Sequence, residues 1–214
     1  MREFSEETLL QNWSSFLGTA PLSSKLPGFS YLVIRAVDET EAPILEQDLR
    51  SIVADANMLV ELMRSHVHGD CSYETHAFWN LWVYDPARLQ WELQPQPLGL
   101  YCFGEEFGER DWQKNGYFLV DAGFEHLFTG HAGLLGSSEP DRGSIRHPDE
   151  QRFVSLMSLP QNLSVYREKT RENIRKLYKW MRIVESALPV ARTSLWSEGE
   201  ENFELRMEEI LAKN

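Results

Sequence analysis

Apolar positions recur along this chain with two different periods. Leu9, Leu10, Trp13, Phe16 and Leu17 fall at helical spacing behind Ser5, a good N-cap residue, and Glu6 and Glu7 sit where carboxylates favour the helix dipole. Gly18 and Pro21 supply the stop. "FSYLVIRAV", 29–37, is apolar and β-branched and predicts a strand. Behind Asp38 or Thr40, Leu45, Leu49, Ile52, Val53, Ala56, Leu59, Val60 and Met63 trace a 3.6-residue stripe. With Pro43 tolerated in a first turn, it predicts one helix over 40–65.

The period then changes to two. "AFWNLWVY", 77–84, is apolar on both alternations, as in a central strand covered twice. "LQWEL", 89–93, alternates, and "LGLYCF", 98–103, and "GYFLVD", 116–121, bring the total to at least five strands. Their short links predict antiparallel neighbours. Glycine-rich residues 122–136 and a loop-like 137–147 follow. Helical periodicity returns over 148–157 and again from Pro160 to 187, with Leu163, Tyr166, Thr170, Ile174, Leu177, Met181, Val184 and Leu188 on one face. Ser197 and Glu200 form the S-x-x-E box of a last helix through 212.

This order predicts an α+β fold: an antiparallel sheet of about five strands packed against a long helix, with a C-terminal helical segment. Residues 1–147 would form the sheet part and 148–214 a helical extension packed on it as one structural domain.

Composition narrows the functional classes. Seven Trp, seven Tyr and eleven Phe in 214 residues can fill a large core. A formal net charge of −12 argues against a nucleic-acid surface and against anionic membranes. No apolar run approaches the ~20 residues that span a bilayer, and "MREFSEETLL" has no apolar signal region. Cys71 and Cys102 do not make a disulfide framework. These features predict a cytoplasmic protein with free thiols.

The densest chemistry is "SHVHGDC", 65–71: His66, His68, Asp70 and Cys71, with His76 close behind. A mixed N, O and S set of this kind suits zinc. "HVHG" resembles the strand-borne H-x-H of the amidohydrolase superfamily, and "HVHGD" resembles the first part of the metallo-β-lactamase H-x-H-x-D-H motif. Each resemblance implies a metal-dependent hydrolase and covers four or five residues. Both families place the motif after a buried apolar strand, where this chain carries a helical stripe. Cys71 stands where the second motif has His, and an amidohydrolase barrel needs ~250 residues. No family is assigned. Because alternate side chains diverge by roughly 200° in a helix, the pair chelates only on extended backbone. With Gly69 as the C′ residue, His66 and His68 are expected in the last helical turn, where imidazoles favour the dipole.

Three further features carry candidate chemistry. His126 and His131 are the most plausible pocket imidazoles, with Asp121 or Glu125 as a carboxylate partner. The surrounding "FTGHAGLLG" lacks the G-K-[ST] of a phosphate loop. The aromatic strands would line a cleft wherever a sheet face is left partly open. Helix 160–187 concentrates Arg167, Lys169, Arg171, Arg175, Lys176, Lys179 and Arg182 against Glu168 and Glu172. That face is expected to pair with the glutamates of the last helix, or to serve a protein partner or self-association. The sequence therefore predicts a non-catalytic protein- or small-ligand-binding domain without a cofactor. The alternative is a small zinc-type hydrolase using His66, His68, Asp70, Cys71 and His76.

Overall fold

A computed structural model describes residues 5–108, 110, 112–135, 147–199 and 201–212. The fold is α+β, with a five-stranded antiparallel sheet among the described residues in the order β2-β1-β3-β4-β5. The strands are β1 (Phe29–Ala36), β2 (Leu45–Asp48), β3 (Cys71–Asp85), β4 (Gln90–Phe103) and β5 (Phe118–Asp121). The helices are α1 (Glu6–Gly18), α2 (Ala56–Met63), the single turns α3 (Trp112–Asn115) and α4 (His126–Thr129), then α5 (Pro148–Met157), the long α6 (Pro160–Ala187) and α7 (Phe203–Ala212). No described helix is long and apolar enough to cross a membrane.

The chain divides into two compact units. The first is drawn from Met1–Asn80, Pro95–Gly123 and Ile183–Pro189, the second from Leu81–Gln94, Phe124–Arg182 and Val190–Asn214.

In the first unit α1 forms as its pattern predicts. The Ser5 hydroxyl accepts the Thr8 N–H at 3.1 Å, and Leu9, Trp13, Phe16 and Leu17 are the buried face. Trp13 and Phe16 stack on Phe118 of β5, and the Trp13 indole N–H donates to the Met63 sulfur at 3.2 Å. The helix expected over 40–65 exists only in its last third. Residues 45–48 instead pair antiparallel with β1, from Ile34↔Leu45 to Tyr31↔Asp48. Leu45 and Leu49 are spaced for either state, and the open edge of β1 decides between them, an instance of tertiary pairing overriding local pattern. The Asp48 carboxylate then accepts the Arg50 N–H at 3.0 Å, closing a turn. Asp55, not Asp38 or Thr40, caps α2 by accepting the Met58 N–H at 2.9 Å.

The segments 77–84, 89–93 and 98–103 are not three strands but parts of one long hairpin, β3 and β4. Its turn is held by the Asp85 carboxylate, which accepts the Ala87 and Arg88 N–H groups. Pro95 and Pro97, which break the sequence pattern, lie inside β4. They are two residues apart, so both missing N–H groups fall on one edge, and the pairing of β5 ends at Gly99↔Asp121 before reaching them. Gly104 ends β4 against the chain before β3: a Cβ there would lie 2.3 Å from the Gly69 carbonyl oxygen.

In the second unit α6 packs on the tip of this hairpin. Its buried residues are Tyr166, Thr170, Asn173, Ile174, Leu177 and Trp180. Three basic residues of α6 find partners within the helix: Lys169 with Glu172 at 2.8 Å, and Arg171 and Arg175 with Glu168 at 3.5 and 2.8 Å. Arg171 also donates to the Ile210 carbonyl of α7 at 2.8 Å, so its link to the last helix goes to backbone rather than to a glutamate. The expected capping box does not start α7. The Ser197 hydroxyl donates to Glu125, and the first helical bond runs from the Arg206 N–H to the Asn202 carbonyl. Glu200, the other half of that box, lies outside the described residues.

Candidate functional site

The cluster at 66–76 is dispersed among structural duties. α2 ends at Met63, and a 3-10 turn, Arg64–His66, follows it. Val67 is extended (φ −85°, ψ 107°), so His68 stands beyond the coil and not in a last helical turn. The segment is tied down by Tyr73, whose hydroxyl donates to the His66 carbonyl at 3.0 Å and accepts the His68 N–H at 3.1 Å. His68 Nδ1 lies 3.4 Å from a Glu6 carboxylate oxygen, and His76 Nε2 lies 2.6 Å from a Glu74 oxygen. Asp70 takes the Cys71 thiol at 3.7 Å. Among the described residues no three His, Cys, Asp or Glu side chains come together to hold a metal ion.

Both thiols are buried. Burial, then the neighbouring Asp70 carboxylate, pushes Cys71 up to about 11, and burial alone pushes Cys102 well above the usual thiol range. Both are therefore thiols, not thiolates, at neutral pH. Labelling with a charged disulfide reagent at pH 8 should modify under roughly a tenth of the two cysteines in the native protein and both in denaturant. Rapid native labelling of one would contradict their placement.

The second unit contains a different constellation. It is built on the face of α6 that carries Tyr166 and Asn173, seven residues and two turns apart. The Asn173 amide donates to the Leu127 carbonyl at 3.1 Å and so holds α4. The Tyr166 hydroxyl accepts the His131 N–H at 2.7 Å and so holds the turn after it. Between the two anchors Gly130 adopts φ 83°, ψ 157°, a region open essentially to glycine alone. This kink lets side chains five residues apart meet: the His126 and His131 rings stack with centroids 4.1 Å apart at 29°. A Cβ at Gly130 would also lie 2.9 Å from Leu135 Cγ. Gly130→Ala should lower stability by about 2 kcal/mol in urea unfolding, the sum of backbone strain and overlap. An unchanged midpoint would refute the requirement.

From His131 the aromatic contacts continue to Phe153 of α5, at 4.7 Å and edge-on. Phe153, Tyr166, Trp91 and Tyr84 then form a closed circuit with successive centroid separations of 5.5, 5.5, 5.6 and 5.8 Å. Trp91 and Tyr84 come from opposite strands of the hairpin tip, Phe153 and Tyr166 from two helices. The four rings line an apolar cleft of about 540 Å³, which His126 and His131 also wall. The same two imidazoles also wall an open cavity of about 620 Å³ with Phe124, Glu125, His147 and Glu150.

The two imidazoles differ in their electrostatic neighbours. Burial, reinforced by the neighbouring His131, lowers His126 to about 4. Burial also lowers His131, with Glu150 pulling the other way from 3.5 Å. Among the described residues neither ring nitrogen of His126 has a hydrogen-bond partner. No family model matches the chain, and neither a curated protein nor a solved structure matches it.

Of the residues singled out in the sequence, His126 and His131 are brought together. Asp121 stands on β5, in the first unit, where its carboxylate accepts the Gly123 N–H at 2.9 Å. Glu125 engages Ser197, so the carboxylate beside His131 is Glu150. Nothing in the sequence marks Glu150 and Phe153, because the stripe of α5 is short and does not tell which distant loop its other residues meet. Asn173 had a visible signal: an amide in the middle of an apolar helical stripe is a buried polar group that must find partners.

Proposed function

We propose that the protein is a non-catalytic binding protein whose second unit takes up a small organic molecule in the aromatic–imidazole cleft. The observation that carries this reading is the closed circuit of four rings lying beside two uncharged imidazoles, an apolar concavity with a few polar groups converging on it. Binding is favoured over chemistry because the proton-carrying groups are tuned away from neutrality. His126 is lowered to about 4, and burial pushes the Tyr166 phenol above its ordinary range. General acid–base catalysis works best with a pKa near the working pH.

A fragment screen observed by NMR tests this. Hits should shift the ring resonances of Phe153 and Tyr166 in the wild type. They should lose that effect in Leu156→Trp, which fills the cleft from a lining position. Hits scattered over the surface, or unchanged by the filling variant, would remove the proposal.

A further inference from the structure

The rings and carboxylates around this cleft select a charge type, and the geometry points to an organic ammonium ion with an apolar or aryl body as its ligand. This inference rests on the binding reading above and names the ligand class. Tyr84, Trp91, Phe153 and Tyr166 line the cleft, and an aromatic ring attracts a cation brought over it within about 6 Å. Glu150 borders the imidazole pair together with Glu125, and Asp149 lines the four-ring cleft. Arg152, the guanidinium at the rim, is 83% exposed and turned towards Asp149 at 3.6 Å. Among the described residues the lining thus offers a cation aromatic rings and carboxylates, and its one guanidinium is the exposed Arg152.

The unit already contains an ammonium held in this way. Lys169 Nζ sits 3.5 Å above the Trp82 ring, with the Glu172 carboxylate at 2.8 Å. Trp82 also donates its indole N–H to Glu172, so ring and carboxylate are locked as a pair. Trp82 is itself part of the cleft wall. A ligand ammonium between the four rings and Glu150 would repeat that arrangement. His126, as a neutral imidazole with an unengaged lone pair, can accept one of its N–H bonds. The net charge of −12 raises the local concentration of cations over anions.

Three probes of nearly equal size separate the alternatives: 2-phenylethylamine, 2-phenylethanol and phenylacetate, titrated at pH 7 with tryptophan fluorescence and calorimetry. The amine should bind roughly tenfold more tightly than the alcohol, and phenylacetate more weakly than either. Glu150→Gln, a change at a half-exposed position, should weaken the amine at least about threefold and leave the alcohol unchanged. An alcohol equal to the amine, or a tighter phenylacetate, overturns the ammonium assignment while the binding reading stands. If none of the three binds while fragments still locate the cleft, the ammonium assignment again falls alone. If the fragments also fail to locate the cleft, both fall.

Discussion

Replacing Asn173 with alanine should lower the free energy of unfolding by about 3 kcal/mol, one of the largest single-residue effects in the second unit. Asn173 is 1% exposed and makes three hydrogen bonds to backbone. Its side-chain oxygen accepts the Trp82 N–H at 2.8 Å, and its amide nitrogen donates to the Trp82 and Leu127 carbonyls at 3.0 and 3.1 Å. The reason lies in the sheet register. β1 pairs with β3 only as far as Phe29↔Ala77, so among the described residues no strand lies beside the β3 edge at Trp82. A strand residue presents its N–H and C=O on one edge, and the Asn173 amide supplies the complementary pair there. Alanine leaves one donor and two acceptors buried without partners, at about 1 kcal/mol each or more.

Asn173→Asp separates hydrogen bonding from packing, because it is isosteric. An aspartate can still accept from Trp82 but faces two carbonyl oxygens with no proton to give. It should be at least as destabilising as alanine at pH 7. The carboxyl proton would be bound more tightly in the folded state than in the unfolded one, so stability relative to wild type should recover as pH falls towards 5. Chemical denaturation at two pH values checks both results. A loss below 1 kcal/mol for alanine, or a pH-independent difference for aspartate, would mean that the amide does not complete the β3 edge.

What could be read from the sequence follows the range of the forces involved. α1, α5 and α6 came out of local periodicity because each buries one stripe and carries its own start signal: Ser5, Pro148 and Pro160. β2 did not, because Leu45 and Leu49 satisfy a helical period as well as an alternating one, and only the exposed edge of β1 decides between them. The β4 pattern reads as two strands because Pro95 and Pro97 are breakers anywhere except on an edge without a partner. The imidazole pair was legible as two histidines beside glycines. Its stacking was not, since that depends on the Gly130 kink and on anchors from α6 more than thirty residues away. In the His66 to Cys71 motif, Tyr73 binds the backbone of His66 and His68, while the His68 ring faces Glu6 and the Cys71 thiol faces Asp70.

Acidification from pH 6.5 to 4 should remove about 2 to 3 kcal/mol of stability through His126. The sign follows from the direction of the shift. His126 is lowered to about 4 in the folded protein, below the ordinary 6.5, so within that window the unfolded chain binds more protons than the native one. Stability therefore rises with pH, is complete above about 6.5, and declines until the folded imidazole titrates near 4. Burial is the main cause and His131 the second, and His131 is itself shifted the same way, with Glu150 as the opposing influence. Among the described residues the other ionisable groups around the pair are Glu125, His147, Asp149, Arg152, Tyr84 and Tyr166. Asp48, in the first unit, is held down to about 2 by Arg50, so what it contributes is lost at lower pH, below this window. His126→Phe keeps a ring in the stack and removes the proton, so the difference between variant and wild type isolates the imidazole from every carboxylate. That difference should move in favour of the variant by 2 kcal/mol or more between pH 7 and 4.5. A constant difference across the range would show that His126 is not buried against His131, and the cleft described here would lose its polar wall.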